Sequence, residues 1–315
     1  MTDKNEAERA PSPEPMPVPP LEGSGVAPVH PCSQCAPMTS TPLGHLYAIG
    51  KLEARFPSLG IEREFQQRLA STAQTEHAEN KRQVVRRVLE NYPYLALRMC
   101  YVLMVSGYPA YIVKPAGSYL RESLFTAIGE KDHWCSVIGS VGPMATPDTC
   151  QGVLAPIAVA DQIYAFSTEE WLASLKKRLK KALDSHKIEG KTFDTTAPDL
   201  FERVIGSTEN LGATDAHRAL NYAVMQHPGI FLAAAQRIGR QTLDRIETRL
   251  IRGLGPRRIV AIVLTFLDIS TGVPERLFCR IDITEEWPFV AGEGGSTQSP
   301  LGLMPFVENE LFGLA

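Results

Sequence analysis

The amino-acid sequence predicts an α+β fold in which helices pack on an antiparallel sheet. Short apolar segments flank a Ser106-Gly107 turn. Residues 258–268 are rich in Ile, Val and Leu, and after a second turn residues 275–284 alternate apolar and polar side chains, so both regions are typical of hairpins. Between residues 167 and 239 the apolar side chains recur at helical spacing instead. Because strands and helices are grouped along the chain rather than alternating, an antiparallel sheet with packed helices is expected.

Length, composition and charge exclude several classes of protein. With 315 residues, 44% of them apolar and 21% charged, the chain can bury a full core in one large or two modest domains. A net charge of −3 gives no electrostatic footprint for nucleic acid, and no apolar run reaches the roughly 18 residues of a membrane helix. The polar amino terminus lacks the apolar region of a secretion signal. We therefore expect a cytoplasmic protein, without nucleic-acid or membrane partners, whose six cysteines stay thiols.

Residues 1–42 are predicted to be a disordered tail. They hold ten of the 24 prolines and few large apolar side chains, so burial cannot offset the entropy of ordering them. Cys32 and Cys35 form a C-x-x-C pair beside His30, and two thiolates at this spacing can reach one tetrahedral zinc ion. A structural zinc site needs about four ligands, and this pair supplies only two. Two interpretations of the pair therefore stay open: half of a zinc site, or two free thiols. The candidates for further ligands are Cys100, Cys135, Cys150, Cys279 and a histidine such as His30 or His217.

Regular structure is expected from residue 43 to residue 290. Ser58 precedes a run of helical spacing that begins at Ile61, and a second helix beginning at Lys81 has a basic outer face. The strands predicted in the first half are 47–52, 101–105, 110–114, 134–139 and 154–166, and the helices are 61–77, 81–90 and 118–128.

Residues 142–152 are predicted to be a shaped loop, because two prolines, two glycines and an aspartate disfavour regular structure there. Gly142 and Pro143 open this loop and are candidate binding residues. Cys150 lies within it, and two interpretations stay open. It is either a nucleophile or ligand that lines a pocket, or one more small buried residue.

The strand predicted to end near residue 166 leads into a helix. Asp161 falls in the middle of that strand, and if it points inward it needs a partner, for which Arg218 is one candidate. Ser167 and Glu170 form a capping box that opens the helix. Five cations at positions 176–181 cover its outer face, where they are either solvated or a docking surface for an acidic peptide or a nucleic-acid phosphate.

The most informative helix is predicted to begin after Thr214, whose side-chain oxygen can cap the first turn. One side of this helix carries small and aliphatic residues, and the other mixes an acid, a base, a guanidinium, an amide and a phenol. An ordinary solvated face would carry Lys, Glu and Gln. The five polar residues, taken as candidate site residues, are Asp215, His217, Arg218, Asn221 and Tyr222. Around this helix we expect a turn-rich connection at 184–198, a helix at 199–207 and a last helix at 228–239.

Two interpretations of this polar face stay open. In the structural one, Asp215 and Arg218 pair at i, i+3 and the other side chains tie neighbouring loops to the helix. In the catalytic one, His217 is a general base because a histidine pKa ordinarily lies near working pH. Arg218 then stabilises an oxyanion and Asn221 orients the substrate. Cys150 is a candidate participant if its loop meets this helix.

Three separated motifs carry a family resemblance. They are residues 141–152 (VGPMATPDTCQG), 210–222 (NLGATDAHRALNY) and 281–289 (IDITEEWPF). Together they resemble the domain of unknown function at the C-terminus of PatA and PatG, the cyanobactin maturation proteases, from about Tyr47 to about Val290. The resemblance implies a role in ribosomal peptide natural-product (RiPP) biosynthesis with a precursor peptide as partner. It implies no particular chemistry.

The chain lacks several common catalytic motifs. We find no G-x-x-x-x-G-K-[ST], no G-x-G-x-x-G after a strand, no H-E-x-x-H and no Gly-flanked hydrolase serine. No nucleotide cofactor is therefore expected, and the chain is interpreted as a copy of the domain without the protease. Three functional hypotheses follow: binding of a precursor peptide during its maturation, chemical modification of that peptide, and a structural or regulatory homo-oligomer. Residues 291–315 are predicted to be a linker with a short apolar end.

Overall fold

The computed structural model describes residues 44–75, 81–128, 133–206, 210–252, 256–291 and 303–306. The described residues all belong to one compact unit. The predicted tail of residues 1–42, with Cys32 and Cys35, lies outside them. So do residues 292–302 and 307–315 of the predicted C-terminal segment.

Five strands close into a barrel: β1 (Gly44–Arg55), β2 (Cys100–Val105), β3 (Tyr108–Pro115), β4 (His133–Met144) and β5 (Pro156–Ser167). Their order around the barrel is β1-β2-β3-β5-β4, and β4 pairs with β1 to close it. Every neighbouring pair is antiparallel except β3 and β5, which are parallel. A five-stranded Greek-key barrel of this order is the architecture of the OB-fold. The predicted antiparallel sheet is therefore closed on itself and contains one parallel pair.

The turn between β2 and β3 shows how local sequence sets part of this barrel. Ser106 and Gly107 both adopt positive φ, at 50° and 85°, as a two-residue turn of type I′ requires. The predicted hairpin is thus confirmed. Alternate residues of the strands point into the barrel, where Leu46, Leu103 and Val137 are completely buried.

Four helices lie in the connections of the barrel. α1 (Leu59–Thr75), α2 (Lys81–Asn91) and α3 (Pro93–Arg98) join β1 to β2, and α4 (Arg121–Ala127) joins β3 to β4. Their apolar sides share one core with the barrel interior, because a helix gains most of its stability from burying an apolar face. The helix residues in this core include Phe65, Val88, Leu95, Leu124 and Phe125.

A second sheet and four further helices follow the barrel. The helices are α5 (Thr168–Ser185), α6 (Gly190–Ile205), α7 (Asp215–Gln226) and α8 (Gly229–Arg237). The strands are β6 (Gln241–Arg252), β7 (Arg258–Asp268), β8 (Pro274–Asp282), β9 (Phe289–Val290) and β10 (Met304–Pro305). The order is β10-β8-β7-β6, β9 also pairs with β8, and all of these pairs are antiparallel. The predicted α+β class is confirmed.

One apolar core joins α5 to α8 with both sheets. The ring centroid of Phe201 lies 4.7 Å from that of Trp171, 5.3 Å from that of Trp134 and 6.1 Å from that of Phe166. Ile281 of β8 faces the same core. The helices therefore bury apolar surface against the barrel on one side and the second sheet on the other. None of the helices among the described residues combines the length and the apolar character that crossing a membrane requires.

The start of α6 differs from the prediction. The helix begins at Gly190, inside the segment 184–198 that was predicted to be a turn-rich connection. Phe193 and Ala197 are completely buried in the core, and they continue the apolar stripe of the helix toward its N-terminus. This burial outweighs the hydrogen bond that Pro198 removes from the helix interior.

Two strands also differ from the prediction. β4 continues through Gly142 and Pro143 to Met144, which pairs with Pro156 of β5, so the shaped loop is shorter than the predicted 142–152. Pairing with β5 stabilises the extended backbone that the prolines and glycines of this segment disfavour.

β6 was not predicted at all. It lies at the edge of its sheet, where a strand tolerates charged residues, and these residues hide the alternation typical of a strand.

Candidate functional site

α7 begins where the sequence predicts. The Thr214 side chain accepts a hydrogen bond from the His217 backbone N–H at 3.2 Å and so caps the first turn. Asp215 lies in that turn, where the helix dipole favours a carboxylate. His217 is partly buried. All five candidate polar residues therefore belong to one helix, and the side-chain contacts of Arg218, Asp215, Asn221 and Tyr222 show how these four are used.

Arg218 is a buried structural link. Its side chain is only 2% exposed, and burial lowers its pKa. Nη1 donates to the Ile283 carbonyl at 2.9 Å, and Nη2 donates to the carbonyls of Glu285 and, at 3.1 Å, Glu286. The guanidinium thus holds the segment after β8 against α7.

Asp215 pairs with Arg258 of β7. The predicted i, i+3 pair of Asp215 with Arg218 is therefore wrong, because three main-chain carbonyls direct the Arg218 guanidinium into the interior. The Asp215 side chain is 23% exposed and that of Arg258 is 55% exposed, so this ion pair is in contact with water. It ties the start of α7 to the second sheet.

Asn221 and the motif before α7 hold the backbone of one residue of β1, Tyr47, through both its N–H and its carbonyl. The Asn221 Nδ2 donates to the Tyr47 carbonyl at 2.7 Å, and the Tyr47 N–H donates to the Gly212 carbonyl at 2.9 Å. Asn210 donates in turn to the Asn221 Oδ1 at 2.7 Å. Gly212 has a φ of +79°, and a Cβ there would overlap the Tyr47 carbonyl, so both conformation and contact require glycine. The Tyr222 ring packs edge-on against the Tyr47 ring.

Asp161 faces a second carboxyl group rather than Arg218. Burial and the neighbouring Asp161 carboxyl raise the pKa of Glu286. Asp161 is itself partly buried, and its backbone carbonyl accepts a hydrogen bond from the Tyr119 hydroxyl at 3.1 Å. The predicted contact of Asp161 with Arg218 is replaced by this carboxyl pair, because Arg218 is already held by main-chain carbonyls. Sequence reasoning did not single out Glu286, whose role depends on a contact with a distant strand.

Cys150 is not a free thiol. It is bridged to Cys100 at the start of β2, with their Cα atoms 5.6 Å apart. The prediction that all six cysteines stay thiols is therefore wrong for this pair, because folding places residues 50 positions apart side by side. A nucleophilic role for Cys150 would require the bridge to be reduced first. Cys135 and Cys279 are free, and burial raises the pKa of each thiol to about 12.

An apolar cavity of about 440 Å³ lies beside this disulfide. It is formed by α3, the start of β2, the end of β3, α4 and the loop between β4 and β5. We call it the barrel cavity. Its lining includes the apolar residues Leu97, Met99, Ile112, Leu124 and Phe125 and the polar residues Lys114, Ser118, Arg121 and Thr149.

The barrel cavity coincides with the ligand-binding face of OB-folds. In those folds β2 and β3, the β1–β2 connection and the β4–β5 loop together form the binding surface. Here Ala96, Leu97 and Met99 of the first connection and residues 149–150 of the second line the cavity. Of the predicted site residues only Cys150 lies on it, and Gly142 and Pro143 do not. No local pattern marks the other lining residues, because they come from regions that are separated in the sequence, within 96–101, 112–125 and 149–150.

A more open cavity of about 520 Å³ lies at the start of α7. Thr214, Asp215, Leu250 and Arg258 are among its lining residues. Its two charged side chains neutralise each other in the Asp215–Arg258 ion pair. This cavity therefore offers a ligand no uncompensated charge among its described lining residues.

The predicted zinc pair, Cys32 and Cys35, lies outside the described residues, so zinc binding there stays a prediction. Among the residues that the structure describes, no three His, Cys, Asp or Glu side chains are grouped as metal ligands. Of the other cysteines named as further ligands, Cys100 and Cys150 are bridged to each other and Cys135 and Cys279 are buried. None of these four presents an accessible thiolate.

The fold is thus an OB-type barrel joined through a helical layer to a second antiparallel sheet. The family model described as "PatG Domain" matches residues 45–250, and the chain belongs to that family. A solved structure described as "PatG Domain of Unknown Function" has the same fold, with a TM-score of 0.59 at 17% sequence identity. The match covers 79% of this chain and 97% of that chain. No curated protein matches the chain. The resemblance inferred from the three motifs is confirmed.

Proposed function

We propose that this protein binds a precursor peptide during its maturation in cyanobactin-type RiPP biosynthesis, and that the barrel cavity is the peptide site. Membership of the PatG domain family supports the pathway. The observation that carries the binding role is an apolar cavity on the ligand-binding face of an OB-type barrel. OB-folds support a binding role by analogy alone, and the chemistry of the cavity indicates which ligand it suits.

The barrel cavity suits one or two apolar side chains of a peptide. Ligand pockets commonly have volumes of roughly 300–1,000 Å³, and this one has about 440 Å³. Burying roughly 150 Å² of an aliphatic or aromatic side chain contributes about 4 kcal/mol at about 25 cal/mol/Å². Loss of translational and rotational freedom offsets part of this gain. Binding assays should therefore reach peptide concentrations on the order of 1 mM.

Isothermal titration with a precursor peptide encoded beside the gene tests this proposal. Leu97 lines the cavity yet is 75% exposed, so Leu97→Asp should keep the fold. It should weaken binding about tenfold or more, because a carboxylate then replaces apolar wall. Leu59 is a matched control, since it is 66% exposed and does not line the cavity. Leu59→Asp should leave the affinity unchanged. No binding of any neighbouring peptide, or equal loss in both variants, would reject the proposal.

Modification of the same peptide, with His217 as general base, stays an alternative that no contact described above favours. Arg218 and Asn221 donate to main-chain carbonyls, so neither group is directed at a substrate. Mass spectrometry and chiral analysis of the peptide after incubation with wild type and with His217→Ala would detect such chemistry. Light scattering would detect a homo-oligomer, the third hypothesis.

A further inference from the structure

Two cations line the barrel cavity without an acidic partner among the described residues. Lys114 lies near the end of β3 and Arg121 begins α4, and both side chains are exposed. Neither makes an ion pair or a side-chain hydrogen bond with any described residue. The acid next to Arg121 in sequence, Glu122, pairs with Arg86 at 3.0 Å instead. The cavity therefore presents positive charge that no described residue neutralises.

Two cations of α5 differ from those of the barrel cavity, because they have partners within the protein. Lys176 pairs with Asp194, and Arg178 donates to the carbonyls of Met225 and Gln226 at the end of α7. Lys177 is an exposed cation on that helix and lines none of the cavities described above. Of the two cavities described above, the barrel cavity is the one at which cations without an acidic partner among the described residues meet a concave apolar surface.

Apolar walls and unpaired cations at one cavity favour a ligand that has both an apolar and an anionic part. The guanidinium of Arg121 can bind a carboxylate through two parallel hydrogen bonds, and the ammonium of Lys114 adds a second positive charge. The hydroxyl groups of Ser118 and Thr149 also line the cavity and can donate to carboxylate oxygens.

We propose that the barrel cavity selects a peptide segment in which an apolar side chain adjoins an acidic side chain, with Arg121 and Lys114 as the specificity-determining residues. This inference rests on the proposed function. The apolar side chain fills the space between α3 and α4, and the carboxylate meets the two cations. A neutral peptide of the same shape binds more weakly, because it leaves the cations without a partner.

Matched peptides test this selectivity on the wild-type chain. The probes are short acetylated and amidated peptides that differ only in a Leu-Glu-Leu or a Leu-Gln-Leu centre, titrated by calorimetry at low salt. The Glu peptide should bind about fivefold tighter, and raising the salt concentration should remove most of that difference, since exposed ion pairs are screened. Equal affinity of the two peptides would overturn the inference and leave the proposed function standing. If neither of the two peptides bound and the encoded precursor did not bind either, both the inference and the proposed function would be rejected.

Three variants locate the selectivity. Arg121→Gln and Lys114→Gln should each weaken binding of the Glu peptide about threefold and leave the Gln peptide unchanged. Lys177→Gln is the matched control and should change neither affinity. All three side chains are exposed, so thermal melting should be unaffected. Selectivity that survives in the Arg121→Gln/Lys114→Gln double variant would overturn the inference.

Two further ligands test whether the cavity prefers another source of negative charge over an acidic side chain. A Leu-Gln-Leu peptide with a free C-terminal carboxylate should bind no tighter than its amide, because the proposal assigns the carboxylate to a side chain. A single-stranded oligothymidylate should not displace the Glu peptide. If the free C-terminus bound tightest, or the oligonucleotide displaced the peptide, the inference would be overturned.

Discussion

The polar face of α7 and the barrel cavity differ in how their polar groups are used. On α7, Arg218 and Asn221 are buried and donate to main-chain carbonyls, and Asp215 pairs with Arg258. In the barrel cavity the walls are apolar, and Lys114 has no acidic partner among the described residues. A buried polar group must be paired within the protein, since leaving it unpaired costs about 1–3 kcal/mol. A rich mixture of polar residues on a helix therefore indicates a structural network as readily as a site. Polar groups that have no partner among the described residues, and that lie beside a concave apolar surface, indicate a ligand-binding site more directly.

The largest effect on stability is expected for Arg218→Met, which keeps the length of the side chain and removes the guanidinium. The Ile283 carbonyl would lose its donor at a buried position, and the carbonyls of Glu285 and Glu286 would lose theirs at partly buried positions. The free energy of unfolding should therefore fall by about 4 kcal/mol. Urea denaturation followed by tryptophan fluorescence measures this quantity.

Arg178→Met is the matched control for that variant. Arg178 also donates to main-chain carbonyls, those of Met225 and Gln226, but its own side chain is exposed. Water can replace the lost donor there, so the loss should be about 1 kcal/mol or less. Similar losses in the two variants would contradict the view that burial makes the α7 network structural.

The disulfide beside the barrel cavity should have the next largest effect. It closes a loop of 50 residues, so replacing Cys100 and Cys150 by Ser should lower the free energy of unfolding by about 3 kcal/mol. Cys150 and Gln151 adopt positive φ, at 50° and 56°, and the bridge helps to hold this strained loop in place. Peptide affinity should fall as well, because the loop forms one wall of the cavity. If the double variant kept both stability and affinity, the bridge would have no role in the folded protein.

Glu286 should give a smaller effect that depends on pH. Burial and the neighbouring Asp161 raise its pKa in the folded protein above the usual 4.5. Its contribution to stability is therefore fully present below pH 4.5 and is lost as the pH rises through the raised folded-state pKa. Glu286→Gln cannot lose a proton, so its melting temperature relative to wild type should rise between about pH 4 and about pH 7. A difference that does not change with pH would show that the folded protein does not raise the pKa of Glu286.

Asp215→Ala should have the smallest effect, about 0.5 kcal/mol, because its partner Arg258 is 55% exposed and water re-solvates it. The pair of Asp215 with Arg218 that the sequence suggested would instead leave a buried charge unpaired and cost roughly 3 kcal/mol or more. Thermal melting of this variant beside Arg218→Met distinguishes the two arrangements. A loss as large as that of Arg218→Met would restore the sequence-based pairing.

Local features of the fold were open to prediction from the sequence, because they depend on neighbouring residues. The Ser167–Glu170 capping box, the Thr214 cap of α7 and the Ser106-Gly107 turn all form as predicted. Prediction failed where tertiary burial overrides local preference, as at Pro198 inside α6, and where charged residues mask an edge strand, as in β6. The candidate site was predicted only in part, since of the proposed residues Cys150 alone lines the barrel cavity.

The sequence by itself determined the α+β class, most helices and strands, and membership of the PatG domain family, which three separated motifs indicate. Only the tertiary structure decided that β3 and β5 pair in parallel to close a barrel, and that Cys100 meets Cys150. It also decided that Arg218 binds a carbonyl 65 residues away rather than the acid one turn before it. Secondary structure follows from the spacing of residues a few positions apart. A partner or a cavity depends on how distant segments pack, and the energy of that packing cannot be inferred from any one segment alone.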